Sequence, residues 1–150
     1  MILNTLIINL KLNKMEKIYS KVNGKLLHVI NRLNDIKGRD DIIPEDNFIQ
    51  CATLKMEKGK TFPPHKHITK DRHYPKQIAQ ESWVVIKGRV KCKFYDLDDT
   101  LIVESILEPG DASFTLYGGH TYEILEEDTI VYEYKTGPYK GQENDKEFIG

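Results

Sequence analysis

The sequence has little cysteine, little proline, no excess of one charge and no long hydrophobic run. Two cysteines, Cys51 and Cys92, occur in 150 residues. Neither belongs to a CxxC pair or a Cys-rich framework, which argues against a secreted disulfide scaffold. They read as small buried hydrophobes. Six prolines and ten glycines are too few for a disordered or collagen-like chain. The apolar stretch Met1–Leu10 (MILNTLIINL) is interrupted by Asn4 and Asn9 and falls short of the about 20 residues of a membrane span. It also lacks the basic region before it and the small-residue cleavage site after it that mark a secretory signal. Lys plus Arg is 22 and Asp plus Glu is 23, for a formal net charge of -1. A general nucleic-acid binder carries a basic excess instead. No GxSxG and no Gly-rich phosphate loop occurs, and neither cysteine lies beside a histidine, so nucleophilic catalysis has little support. These absences predict a cytoplasmic protein of one domain, with neither nucleic acid nor membrane as partner.

What is present is a succession of short β-like runs. Leu26–Arg32, Phe48–Glu57, Ile78–Lys87, Val90–Leu97, Thr100–Leu107, Ala112–Leu116, His120–Leu125 and Thr129–Lys135 are β-branched, aromatic or alternating. Turn signals stand between them at Lys58-Gly59-Lys60, Gly88-Arg89, Asp98-Asp99 and Glu108-Pro109-Gly110-Asp111. Roughly eight or nine strands at this spacing, with little helical periodicity, predict an all-β antiparallel sandwich or barrel. Residues 1–14 read as an extended arm, an extra strand, or an upstream start ahead of Met15.

Five histidines occur, at 28, 65, 67, 73 and 120. In a strand, residues i and i+2 share a face, so His65 and His67 are expected to point into one cavity. Within Ile78–Lys87 the inward set is Glu81, Trp83 and Val85. A carboxylate on such an apolar face is costly unless it is paired or metal-bound. His120 follows Gly118-Gly119, a turn that can deliver it to the same cavity. Three imidazoles and one carboxylate suit a divalent first-row metal with open positions for water or substrate.

The spacing Gly59-(x5)-His65-x-His67-(x13)-Glu81-(x6)-Gly88 resembles the first motif of the cupin superfamily, Gly-x5-His-x-His-x3,4-Glu-x6-Gly. Pro109-Gly110-Asp111 followed by Gly118-Gly119-His120 resembles the second. The chain departs from the pattern in three ways. The gap between His67 and Glu81 is 13 residues, Leu116 stands where the family has proline, and Gly110 to His120 is one residue short, with Ile124 in place of the final asparagine. The resemblance covers about residues 48–135. The segment Tyr134–Gly141 is also similar to the ends of small single-domain cupins encoded among surface-polysaccharide genes.

The resemblance implies a double-stranded β-helix, a small jelly-roll barrel over residues 25–136, with an N-terminal arm or extra strand at 1–24 and a C-terminal tail at 137–150. It implies one divalent transition metal (Fe, Mn, Ni or Zn) held by His65, His67, Glu81 and His120. It implies a metalloenzyme acting on a small molecule such as a sugar or sugar-nucleotide derivative. Mononuclear iron dioxygenase chemistry and a non-catalytic metal-dependent binding module are the alternatives, and a homodimer is expected. The insert Ile68–Gln80 holds Lys70, Arg72 and Lys76 against Asp71, a net +2. Near a cavity mouth, such a loop would recruit an anionic group. Lys70, Arg72, His73, Tyr74 and Trp83 are therefore the candidate substrate contacts, and no catalytic residue is assigned.

Overall fold

The structure is a computed structural model that describes residues 15–55, 57–67, 78–137 and 141–149. Its strands are β1 (Glu16–Tyr19), β2 (Leu26–Asn31), β3 (Asp40–Asp41), β4 (Ala52–Thr53), β5 (Glu81–Lys87), β6 (Val90–Tyr95), β7 (Leu101–Leu107), β8 (Ala112–Thr115), β9 (Gly119–Ile124) and β10 (Ile130–Lys135). They pair antiparallel into a five-stranded sheet, β1-β2-β8-β5-β10, and a three-stranded sheet, β7-β6-β9. A two-stranded ribbon, β3-β4, stands beside them. The all-β class expected from the sequence is what forms. Among the described residues neither large sheet closes on itself.

The two sheets face each other across one core. In β6, Val90, Cys92 and Phe94 are fully buried and pack with Ile30 of β2, Val85 of β5 and Leu107 of β7. The residues between them, Lys91 and Lys93, lie on the opposite face, as the period of two requires. There they pair across the sheet with Glu123 and Glu104 at 2.5 and 3.1 Å. Every residue of β2 from Leu27 to Asn31 is buried, because this strand is covered on both faces. Its outward Val29 joins Phe114 and Leu116 beneath Ile42 and Ile43 of the 36–51 segment.

That second cluster corrects one sequence expectation. Phe48–Glu57 alternates like a strand, yet among its described residues only Ala52–Thr53 pairs, with Asp40–Asp41. Ile49 and Cys51 pack against the outer-face cluster instead. Their alternation reflects burial against a sheet, not membership of one. In the opposite direction, Glu16–Tyr19 forms β1 against β2, within the stretch expected to be an arm or an extra strand. Both cysteines are free; Cys92 is buried and Cys51 half-buried. Burial pushes the Cys92 thiol up to about 12, so at neutral pH it is a hydrophobe and not a nucleophile.

The register defines two ends of the space between the sheets. At one end Asn31 pairs with Ala112 and Val84 with Ala112. Arg32 closes this end. Its Nη1 donates to Asp111 Oδ2 at 2.8 Å and to the Ile106 carbonyl at 2.8 Å. Its Nη2 donates to Glu16 at 2.7 Å and to Ser105 Oγ at 2.9 Å. At the other end His28 pairs with Thr115, Glu81 with Thr115, and Phe94 with His120.

Candidate functional site

The second end gathers polar side chains on the inner face. Glu81 opens β5, and Trp83 and Val85 follow on the same side, the inward set expected from alternation. Across the sheet, Lys135 stands opposite Glu81 and Glu133 opposite Trp83. From the facing sheet, β9 brings His120 and Tyr122 inward, in register with Phe94 and Cys92.

His120 Nε2 lies 3.2 Å from Glu81 Oε1. The indole Nε1 of Trp83 donates to the same Glu81 oxygen at 3.1 Å and to Glu133 Oε2 at 3.2 Å. Trp83 stacks on Tyr122 with centroids 4.0 Å apart and planes 8° from parallel. The Tyr122 hydroxyl shares a 3.0 Å hydrogen bond with Ser113 Oγ. Burial first, then nearby carboxylates, raise the Tyr122 pKa well above its ordinary value, so it remains a neutral phenol. Burial pushes the Glu81 carboxyl up, but the hydrogen bond and charge of His120, with Lys146 and Lys135 behind them, outweigh it and hold the group below its usual range. Glu81 is thus a carboxylate at neutral pH. His120 Nδ1 is buried with no hydrogen-bond partner among the described residues. A buried imidazole nitrogen in this state calls for a partner such as an ordered water, a ligand or an ion.

The turn before β9 sets the position of His120. Gly118 has φ +75°, and a side chain there would meet the Tyr95 carbonyl at 2.5 Å and His28 Nε2 at 3.3 Å. His28 is fully buried beneath it. Its Nδ1 contacts Thr115 Oγ1 and its Nε2 the Tyr95 carbonyl, both at 3.2 Å. Burial, reinforced by His120, lowers the His28 pKa to about 4 against the opposing pull of Tyr95 and Asp96. His28 is therefore a neutral packing and hydrogen-bonding residue at pH 7.

Glu81 and His120 are the two expected site residues that the fold brings together, and Trp83 joins them. His65 and His67 lie elsewhere in kind. Residues 61–67 form no strand and are exposed. His65 Nδ1 donates to the Pro63 carbonyl at 2.9 Å. The two rings stand 5.4 Å apart, edge to face. Among the described residues no group of three or more His, Cys, Asp or Glu is gathered to hold a metal. Lys70, Arg72, His73 and Tyr74 lie outside the described residues.

Sequence reasoning missed Tyr122, Glu133 and Lys135. The alternation Val131-Glu133-Lys135 carried the signal. Once β10 is set beside β5, that face and the Glu81 face are one. Compared with protein-family models, with characterised proteins and with solved structures, the chain matches none.

Proposed function

We propose that this chain is a cupin-type barrel whose Glu81–His120 end is a divalent-metal site acting on a small anionic molecule. One observation carries the reading. Glu81 and His120, 39 residues apart in sequence, meet on the inner face, with His120 Nε2 3.2 Å from Glu81 Oε1. The donor set fits the metal: imidazole and carboxylate together accept iron, manganese, nickel or zinc. A 3.2 Å separation is also within the span of two donors that each lie about 2.1 Å from a shared ion. In this reading His65 and His67, exposed and not gathered with the pair in this structure, would have to close onto it to serve as further ligands.

Such a metal, when bound, supplies Lewis acidity toward a substrate oxygen or a bound water. The chain's own residues do the rest. Glu81 is held as a carboxylate with Oε1 turned toward His120. Trp83 Nε1 fixes the orientation of that oxygen. The Trp83–Tyr122 stack forms an apolar wall that excludes water from one side. Sugar or sugar-nucleotide chemistry is the substrate class to test first, and iron would bring dioxygenase chemistry forward. A metal-free binding module is the second reading, favoured by the direct contact between His120 and Glu81.

Isothermal titration with Mn²⁺, Ni²⁺ and Zn²⁺ tests the site. One binding event per chain is expected, weakened at least about tenfold by Glu81→Gln and by His67→Ala. Equal affinity in wild type and both variants would remove these residues from the ligand set.

A further inference from the structure

The C-terminal segment does not trail away from the sheet. Asp145 Oδ2 accepts from Lys135 Nζ at 3.2 Å, and both side chains are largely shielded, at 13% and 19% exposure. Lys135 is the strand partner of Glu81. Four residues on, the Ile149 side chain occupies the space that a Cβ on Gly119 would need. Gly119 immediately precedes His120. The segment therefore starts on Lys135, the strand partner of Glu81, and ends over the rim on the outer face of β9, at the residue before His120. Four peptide units reach at most about 14 Å.

From this placement we infer that residues 145–149 are a strap across the mouth of the Glu81–His120 site. The Asp145 carboxylate occupies, on Lys135, the place taken by the anionic group of a ligand. The inference rests on the proposed location of the ligand site, and it is independent of whether a metal is held there. Its physical basis is exchange. Lys135 also has Glu133 Oε1 at 3.9 Å, and an ammonium this shielded gains from a second, closer anion. An incoming carboxylate or phosphate that displaces Asp145 keeps Lys135 paired throughout, and only the strap moves.

The strap is suited to moving. It contains no strand, and Phe148 within it is 77% exposed. The contacts described at its two ends are one ion pair and one isoleucine against a glycine. Segments with so few buried contacts open at low free-energy cost.

Trp83 is the only tryptophan in the chain, and it donates to Glu81, so its fluorescence reports on this site alone. The test uses full-length protein carrying Asp145→Asn and Ile149→Ser together. Quenching of Trp83 by neutral acrylamide is expected to rise in this variant, with the far-UV spectrum unchanged. Inorganic phosphate, followed by Trp83 emission, is expected to bind it about tenfold more tightly than wild type. Adding Lys135→Met should abolish that binding. Unchanged quenching would show that the segment does not cover the site. Phosphate binding that survives Lys135→Met would remove the anion subsite. Failure of the metal titration in the same preparations, with these results intact, would overturn the metal reading and leave the strap standing.

Discussion

The two ends of the space between the sheets both hold buried charge, and they treat it differently. At the Arg32 end the guanidinium donates to two carboxylates, a backbone carbonyl and a serine hydroxyl. Asp111 in turn accepts from the backbone N–H groups of Leu33 and Glu108, at 3.2 and 3.1 Å. Burial lowers the Arg32 pKa, but the bonds and charges of Glu16 and Asp111 outweigh it and raise the group above its ordinary value. At the Glu81 end a histidine nitrogen has no partner among the described residues, one indole N–H is divided between two carboxylates, and a tail carboxylate sits on Lys135. A completed network fastens elements together; an incomplete one is a place for something else to bind.

Breaking the completed end has the largest expected effect. Arg32→Met leaves Asp111 buried without its counter-charge and should cost about 3–5 kcal/mol, read as a lowered midpoint in urea denaturation. Metal affinity of whatever protein remains folded should be unchanged, because the loss lies at the far end.

The second effect comes from His28, which supports the open end from below. Its folded pKa, about 4, lies below the unfolded value of about 6.5. The neutral form is the one that folds, so this contribution is fully present above about pH 6.5 and is lost as pH falls toward 4. The loss amounts to about 3 kcal/mol. Denaturation measured at pH 7, 6, 5 and 4 should show this decline, and His28→Gln should flatten it. An equally steep decline in that variant would place the titrating group elsewhere.

Next in size is Gly118→Ala. The positive φ and the Tyr95 carbonyl 2.5 Å from a new Cβ together should cost about 2 kcal/mol. The same substitution should displace His120 and weaken metal binding, which separates it from a purely structural change at the Arg32 end.

The smallest stability effect is expected from Glu81→Gln. It keeps the shape and an acceptor for Trp83, and thermal melting should place its stability within about 1 kcal/mol of wild type. Little loss of stability with a large loss of metal affinity is the signature of the incomplete end. The reverse pattern would make Glu81–His120 a second structural clasp.

Much of this contrast was legible in the residues. The period of two in ESWVVIK placed Glu81, Trp83 and Val85 on one face, and Gly118-Gly119 marked the turn that returns His120 to it. The Gly88-Arg89 and Asp98-Asp99 turns also separate real strands, the second with Asp99 at φ 65°. What the sequence hid depends on strand order. Glu133 and Lys135 become neighbours of Trp83 and Glu81 only because β10 lies beside β5, and pairing across such separations leaves no local trace. Likewise Asp145 reads as a tail residue until the tail is seen against Lys135. The exposed, irregular conformation of residues 61–67 was hidden for another reason: a His-Lys-His triplet has the same spacing in a strand and in a loop.

Metal analysis of freshly purified protein by inductively coupled plasma mass spectrometry tests the central claim most directly, with His120→Ala run beside wild type. The account predicts close to one transition-metal ion per wild-type chain, and none in a variant that still melts cooperatively. Metal-free wild type that also refuses reconstitution with Fe²⁺, Mn²⁺, Ni²⁺ and Zn²⁺ would contradict it, as would metal retained undiminished by His120→Ala.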